Sequence, residues 1–274
     1  MPTCYIVGAG DFTPRGFAPV PGDLVLAADG GYRALYSLGY TPDLLLGDFD
    51  SLGDLPLPPD LPVLRFPARK DDTDTGLALR HGLDRGFRDF ALYGCAGGRV
   101  DHLLANLQSM ARVSRLGAAI RLAAPEYDAW ALTGPAPHAS APHISAPDAS
   151  APHASAPSTP APDASAPHIS ASHASAPSTS APDASAPDAS DPAPHAPDGP
   201  AATLTLPPRP GGTLVSVFCH GDRAEGVTLT GLAYPLSDAD LTGDFPLGVS
   251  NRRLEGRPAT VSVRRGTLLI FQGA

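Results

Sequence analysis

Short runs of apolar residues alternate with segments of helical spacing over residues 1–123. The runs predict strands at residues 4–7, 24–28, 43–46, 62–66, 90–93 and 119–123. Apolar residues that recur every three or four positions predict helices at about 32–38, 73–84 and 100–114. Strands that are apolar throughout and separated by helices are typical of a mostly parallel sheet covered on both faces. We therefore expect an α/β domain over residues 1–123.

The pattern changes after residue 124, where apolar runs are joined by Gly, Pro and Asp and no long helical period occurs. These runs predict strands at residues 127–132, 203–206, 213–218, 226–230, 259–263 and 267–271. Such an arrangement is typical of a small antiparallel β-sandwich. We therefore expect a second domain over residues 124–274.

A low-complexity segment at about 135–200 interrupts this second domain. Ala-Ser-Ala-Pro recurs in it, with His, Asp or Ser-Thr between the copies. Small side chains cannot bury a core, and frequent Pro removes backbone donors, so we expect a disordered insertion within a β-hairpin. It carries six of the nine His residues, which leaves two interpretations open: a weak metal-binding tract, or repeat expansion without chemistry.

Composition and charge exclude several classes of partner. The net charge is -9, but six Asp residues of the insertion account for much of it, and the rest of the chain carries -3. That balance lacks the basic footprint of nucleic-acid binding. No apolar run approaches the ~20 residues that span a bilayer, no secretory leader pattern is present, and the three Cys form no pairing motif. We expect a cytoplasmic protein with no membrane or nucleic-acid partner.

The segments that follow the predicted strands carry the candidate chemistry. Ligands of open parallel sheets bind at the carboxyl ends of the strands. The segments at these ends are rich in acids and glycines, and they are residues 29–31, 47–51, 69–74 and 94–102. Asp48 and Asp50 lie two positions apart and so project to one side of an extended segment. Clustered carboxylates repel unless a cation lies among them, and Mg²⁺ or Ca²⁺ prefers oxygen ligands.

A polyphosphate fits the same segments. Residues 94–98 offer backbone N–H groups at the start of a helix, where anions bind. Lys70 and Arg99 are placed to offset charge on the phosphates during transfer. The residues therefore predict a magnesium-dependent nucleotide site. Asp71 and Asp74 lie on either side of the start of the helix predicted at about 73–84. The chain has no Gly-x-x-x-x-Gly-Lys-Ser/Thr loop, which excludes a P-loop enzyme.

Each of these motifs has a simpler structural interpretation. Asp29 with two glycines is compatible with a turn, Thr73 with a helix cap, and His102 with a structural pair to Asn106. For Gly8-Ala9-Gly10 we favour a turn over a nucleotide contact. The meeting of several such segments at neighbouring strand ends favours a functional site.

Several short motifs occur in a fixed order along the chain. In the first half they are Asp29-Gly30-Gly31, Gly47-Asp48-Phe49-Asp50-Ser51, Lys70-Asp71-x-Thr73-Asp74 and Gly97-Gly98-Arg99-x-Asp101-His102 with Asn106. In the second half they are Gly231-Leu232-Ala233-Tyr234-Pro235-Leu236 and Gly248-Val249-Ser250-Asn251. Together these motifs resemble those of the thiamine pyrophosphokinase family. Arg252 and Arg253 depart from that pattern, since the family often has an acid after Ser-Asn.

The resemblance implies a homodimer of two-domain subunits that transfers diphosphate from ATP to the hydroxyl of thiamine and releases AMP. The implied magnesium ligands are Asp29, Asp48, Asp50 and Asp74. The implied catalytic set is Asp48, Asp50, Asp71, Asp74 and Lys70. The implied nucleotide and thiamine contacts are Ser51, Gly97, Gly98, Arg99, Asp101, Ser250 and Asn251. Two other functions stay open: a diphosphokinase for another alcohol, such as a hydroxymethylpterin, and a non-catalytic nucleotide- or metal-binding protein.

Overall fold

Six strands of the first half pair side by side in parallel, in the order β4-β3-β2-β1-β5-β6. The computed structural model describes residues 1–49, 52, 55–66, 72–135 and 201–274. The strands are β1 Cys4–Val7, β2 Leu24–Ala28, β3 Leu44–Gly47, β4 Val63–Arg65, β5 Asp89–Tyr93 and β6 Ala119–Ala123. The helices are α1 Gly31–Ser37, α2 Asp74–Asp84 and α3 Val100–Arg115. These elements lie within a few residues of those predicted from the apolar runs.

Successive residues of each strand supply two separate cores, because side chains alternate between the faces of a sheet. Ile6 and Leu26 pack with α2 and α3 on one face. Tyr5 and Val25 pack with α1 on the other face. The expectation that this sheet is covered on both faces is confirmed, and the coverage explains why its strands are apolar throughout.

The chain direction in the sheet changes at residue 124. The remaining strands are β7 Tyr127–Thr133, β8 Ala202–Thr205, β9 Leu214–Thr230, β10 Leu236–Thr242, β11 Gly248–Arg252, β12 Thr260–Val263 and β13 Arg265–Gly273. All of their pairings are antiparallel, and β7 pairs directly with β6. The sheet as a whole is therefore mixed, and a mostly parallel sheet is not confirmed for it. The division into domains at residue 123 stays a prediction.

Strand β9 corrects one prediction from the sequence. The runs at 213–218 and 226–230 belong to one long strand, which pairs with β11 and β13 in its first half and with β10 and β12 in its second. The polar stretch between them continues the strand because its charged side chains form salt bridges with neighbouring strands. Arg223 pairs with Asp240 on β10, and Glu225 pairs with Arg265 on β13.

A buried carboxylate joins the two halves of the chain. The side chain of Asp128 on β7 is 2% exposed and accepts one bond of 3.0 Å from Arg15 and another of 3.0 Å from Arg209. Arg15 lies in the segment after β1, and Arg209 lies between β8 and β9. Because each carboxylate oxygen takes one guanidinium group, Asp128 holds both segments against β7.

Some predictions fall outside the described residues. They concern Asp50, Ser51, Lys70, Asp71 and the insertion beyond residue 135. None of the helices in the described part of the chain is long and apolar enough to cross a membrane.

Candidate active site

A cleft of about 650 Å³ opens at the carboxyl ends of the parallel strands. We call it the acidic cleft, and its lining residues are Gly8, Ala9, Gly10, Ala28, Asp29, Asp48, Asp72, Thr73, Asp74, Thr75, Gly94, Cys95, Ala96, Gly97, Gly98, Arg99, His102 and Asn106. After β1 the chain adds β2, β3 and β4 on one side, and it then returns to place β5 on the other side. Ligands of open α/β sheets bind at such a reversal of strand order.

The floor of the cleft consists of two backbone segments in very close contact. The N–H of Gly10 donates to the carbonyl of Gly94 at 2.7 Å, and the N–H of Asp11 donates to that of Ala96 at 2.8 Å. A Cβ atom at Gly10 would overlap the carbonyl oxygen of Ala96. The segment at residues 8–10 is thus part of the cleft lining, and the preference for a turn over a nucleotide contact there stays a prediction.

Two consecutive glycines lead from this floor into α3. Gly97 and Gly98 have φ values of 83° and 62°, which residues with a side chain rarely adopt. The residue that caps α3, Arg99, makes no capping bond through its side chain. The start of the helix therefore presents backbone N–H groups beside the glycines, as the sequence suggested for an anion.

Three predicted acids line the same cleft. Asp29 follows β2, Asp48 follows β3 and Asp74 is the first residue of α2. Asp29 has a φ of 49°, and its N–H donates to Leu46 on β3 at 2.7 Å. Backbone strain at a non-glycine residue is common at functional sites. Here the strained residue, Asp29, lies at the end of β2 and lines the cleft.

A fourth acid, Asp72, is held by two hydrogen bonds. Its carboxylate accepts a bond of 2.6 Å from Arg80, eight residues further on, and another of 3.0 Å from the N–H of Thr73. Thr73 caps α2, since its Oγ1 accepts the N–H of Gly76 at 3.0 Å. The interpretation of Thr73 as a cap is confirmed. Both residues shape the cleft by fixing where α2 begins.

No group of three or more His, Cys, Asp or Glu side chains converges as a ready metal site within the described ranges. Mg²⁺ commonly takes only one or two carboxylates and completes its shell with phosphate oxygens and water. The acids of the cleft are therefore a suitable donor set for a magnesium ion that arrives with a polyphosphate.

Arg99 and Asp101 pair with each other at the rim of the cleft. Arg99 donates two bonds to the carboxylate, at 3.1 Å from Nε and 2.5 Å from Nη2, and both side chains are largely exposed. The hydrogen bond is the main reason that the pKa of Arg99 is raised and that of Asp101 is lowered. Both groups are thus charged near neutral pH, and a phosphate at the rim competes with Asp101 for the guanidinium.

Ser250 and Asn251 lie away from the acidic cleft, on β11. Asn251 lines a second cavity of about 300 Å³, which we call the apolar pocket. Its lining residues are Leu229, Tyr234, Leu236, Leu247, Gly248, Val249 and Asn251. The two cavities share no lining residue, so within one chain Asn251 lies apart from the residues that line the acidic cleft.

The amide of Asn251 is engaged with the backbone of Tyr234. Its Oδ1 accepts the N–H of Tyr234 at 2.9 Å, and its Nδ2 donates to the carbonyl of the same residue at 2.6 Å. The side chain is 3% exposed. Asn251 therefore holds Tyr234 in place, while Ser250, with a φ of 59°, stays at the surface.

Sequence reasoning missed Thr75 and gave no role to the side chain of Cys95. Thr75 and Cys95 line the cleft and contact each other, with Oγ1 and Sγ 3.9 Å apart. Burial raises the pKa of the Cys95 thiol to about 11, so it is neutral near pH 7 and unsuited to act as a nucleophile. No motif marks these residues, and only their position near a strand end and a helix start indicates the cleft.

Comparison with known proteins gives consistent matches in both halves of the chain. Residues 21–122 match the family model of the thiamin pyrophosphokinase catalytic domain. Residues 202–268 match that of the thiamin pyrophosphokinase vitamin B1 binding domain. A curated thiamine pyrophosphokinase of Bacillus subtilis is 33% identical over 103 residues, which cover 36% of this chain and 48% of the relative. That alignment thus spans about half of the relative's length.

Solved structures share the fold over nearly the whole chain. The thiamine pyrophosphokinase of Bacillus subtilis superposes with a TM-score of 0.67 at 20% identity, covering 99% of each chain. The enzyme of Geobacillus thermodenitrificans gives 0.64 at 19% identity, covering 99% of this chain and 97% of that one. The yeast thiamin pyrophosphokinase gives 0.56 at 10% identity, covering 100% and 86%. With both of its domain models matched in order over more than half of its length, the chain belongs to the thiamine pyrophosphokinase family.

Proposed function

We propose that the protein is a thiamine diphosphokinase, which transfers diphosphate from ATP to the hydroxyl of thiamine and releases AMP. One observation carries the proposal. In a chain of this family, the acids Asp29, Asp48 and Asp74 line one cleft with two glycine segments at the reversal of strand order. That combination suits a nucleotide polyphosphate better than any neutral ligand.

ATP is the proposed diphosphate donor. The amides of Gly97 and Gly98 and the start of α3 offer N–H donors to its phosphates, and Arg99 adds a positive charge at the rim. Lys70 adds a second positive charge in the proposal, which for this residue rests on the sequence alone. These groups favour an anion with several charges.

Magnesium is the proposed metal. Asp48 and Asp74 would hold it, with Asp29 beside them and with Asp50 and Asp71 added from the sequence. When bound, magnesium neutralises charge on the phosphate oxygens. The carboxylates of the cleft would hold that charge at the carboxyl ends of the parallel strands.

Thiamine is the proposed acceptor, and the apolar pocket is its proposed place on the second half of the chain. A positively charged heteroaromatic molecule fits a cavity lined by Leu side chains and by Tyr234, whose ring is 69% exposed. Asn251 fixes the backbone of Tyr234 and thereby the pocket wall. We also propose that Ser250 and Asp101 contact the acceptor from the rims of the two cavities.

A second copy of the chain is the proposed partner. Large apolar side chains around the apolar pocket are exposed, among them Phe245 at 64%, Leu247 at 50% and Val249 at 39%. Contiguous exposed apolar surface marks an interaction site. If a second copy covers this surface, the apolar pocket of one subunit can face the acidic cleft of the other, which would bring donor and acceptor together.

The reaction needs positioning more than covalent help from the protein. The hydroxyl oxygen of the acceptor bonds to the β-phosphorus, the bond from that phosphorus to the bridging oxygen of AMP breaks, and the hydroxyl proton is released. In-line placement and charge neutralisation supply most of the rate in such transfers. We place the reaction in the cytoplasm, where ATP is available and free thiols such as those of Cys4 and Cys95 persist.

A single assay tests the proposal. The full chain is incubated with Mg-ATP and thiamine, and the products are separated. Thiamine diphosphate and AMP in equal amounts support the proposal. Release of ADP, or AMP formation that is independent of thiamine, contradicts it. Parallel incubation with a hydroxymethylpterin checks the acceptor, since faster turnover there would reassign the substrate.

A further inference from the structure

A buried asparagine supports the floor of the acidic cleft. Asn106 lies in the second turn of α3, is 5% exposed and donates from Nδ2 to the carbonyl oxygen of Cys95 at 2.8 Å. This bond joins the helix to a peptide eleven residues earlier in the chain. Polar side chains are rarely buried without such a partner, and this one bonds to a residue of the cleft rather than to its own helix.

The carbonyl of Cys95 is one of three in succession that accept a hydrogen bond from the protein. The carbonyl of Gly94 takes the N–H of Gly10, and that of Ala96 takes the N–H of Asp11. The outer two bonds join backbone to backbone and survive any change of side chain. The middle bond alone depends on a side chain, that of Asn106.

The orientation of this middle peptide decides what the cleft offers to an anion. In a trans peptide the C=O and N–H groups point in opposite directions. With the Cys95 carbonyl directed at Asn106, the N–H of Ala96 is directed away from α3. Cys95 and Ala96 both line the cleft, so this peptide borders it. A flipped peptide would present a carbonyl oxygen to the phosphates instead and repel them.

We propose that Asn106 is a positioning residue for the nucleotide: by holding the Cys95 carbonyl, it keeps the Ala96 N–H available to the ATP phosphates. The inference rests on the proposed function, since it takes ATP as the ligand of the acidic cleft. Thr75 contacts the same residue, with its Oγ1 3.9 Å from the Cys95 sulfur. Asn106 therefore acts on nucleotide affinity and not on the acceptor.

The test replaces Asn106 by Asp in the full chain, which keeps the shape but removes the donor. Titration with Mg-ATP in the absence of thiamine is expected to show a Kd raised at least tenfold at pH 8. The KM for thiamine should stay within twofold of wild type. Lowering the pH to 6 should restore part of the affinity, because a protonated carboxyl group can donate to the Cys95 carbonyl and burial favours that neutral form.

Controls separate this effect from general damage and from other titrating groups. Ser109→Ala alters the same helix and removes only the bond from Ser109 to Ala105, so its Kd should equal that of wild type. Asn106→Ala should lose affinity at both pH values without any recovery. Wild type measured at both pH values corrects for the other charged groups of the cleft, which are Asp29, Asp48, Asp72, Asp74, Arg99 and His102.

Several results would overturn the proposal. They are a Kd for Asn106→Asp within twofold of wild type at pH 8, an equal rise in the KM for thiamine, or unfolding of both Asn106 variants, which would assign the residue to the core. Failure of the wild type to form thiamine diphosphate would instead overturn the proposed function. The Mg-ATP titration stays informative in that case, because it does not depend on turnover.

Discussion

The acidic cleft and the apolar pocket are built on opposite principles. The cleft lies where parallel strands end, and its walls are backbone amides and carboxylates from segments far apart in the chain. The pocket lies on the antiparallel strands, and its walls are mostly aliphatic side chains. Its one buried polar side chain, Asn251, forms two hydrogen bonds to the backbone of Tyr234. The comparison suggests that charge recognition resides in the first half and shape recognition in the second.

Removing a charge from the acidic cleft should have the largest effect on activity. We expect Asp48→Asn to lower kcat/KM about 10³-fold, which corresponds to about 4 kcal/mol, because an amide neither balances a metal ion nor binds it well. Steady-state rates of thiamine diphosphate formation measure the effect. Asp60→Asn, in an exposed turn before β4, is the matched control. A rate for Asp48→Asn within tenfold of wild type would remove Asp48 from the metal site.

The link between the two regions gives the next largest effect. Asp128→Asn leaves Arg15 and Arg209 facing an amide, and we expect it to lower the free energy of unfolding by about 3 kcal/mol. Chemical denaturation measures the change. The exposed pair of Arg223 and Asp240 is the control, since Asp240→Asn should cost less than about 1 kcal/mol. Equal losses for the two variants would show that burial of Asp128 adds nothing.

A variant of the apolar pocket tests whether its residues act on thiamine alone. Asn251→Ala removes both bonds to the Tyr234 backbone, and we expect the KM for thiamine to rise about tenfold, or about 1.4 kcal/mol, with the KM for ATP unchanged. Ser237→Ala, exposed on β10, is the control for the same sheet. A rise in the KM for ATP as large as that for thiamine would contradict the separation of roles.

The smallest expected effect concerns pH and the helix that carries Asp74. Burial is the main cause that lowers the pKa of His81 in α2, and Arg85 adds to it. The unfolded chain then binds more protons than the folded chain below the ordinary His pKa of about 6.5, so stability falls as the pH drops through that value. Unfolding measured at pH 5.5 and 7.5 should show a smaller loss for His81→Gln than for wild type. An equal loss in both proteins would rule out His81 as the cause.

Sequence patterns predict the first half of the molecule well and the second half less well. Strands β1 and β2 are apolar throughout because helices cover both of their faces, and the pattern therefore identifies them. Strands β10 and β11 escape the pattern because they are polar and largely exposed. Ser250 lies on β11 despite its positive φ.

The candidate site shows the same division. Acids such as Asp48 are visible in the sequence because a charge directly after an apolar run is unusual. The contribution of Asn106 depends on a bond across eleven positions, which no local pattern encodes. The place of Gly10 depends on pairing with a segment beyond residue 90. Local spacing thus identifies the charged groups of the site. The backbone segments around them can be placed only when the fold is known.

The reversal of strand order has a consequence for how the molecule assembles. Strand β1 leads the chain, yet one of its two neighbours is β5, so that Cys4 pairs with Phe90. Bringing such distant segments together costs loop-closure entropy, and the contacts that offset this cost form only afterwards. Contacts between distant segments therefore form slowly. The floor of the acidic cleft, where the segments after β1 and β5 meet, is therefore expected to form late during folding. If the cleft binds ATP as proposed, only chains that have completed this step bind it, and ATP at concentrations above its Kd would stabilise the folded chain by mass action.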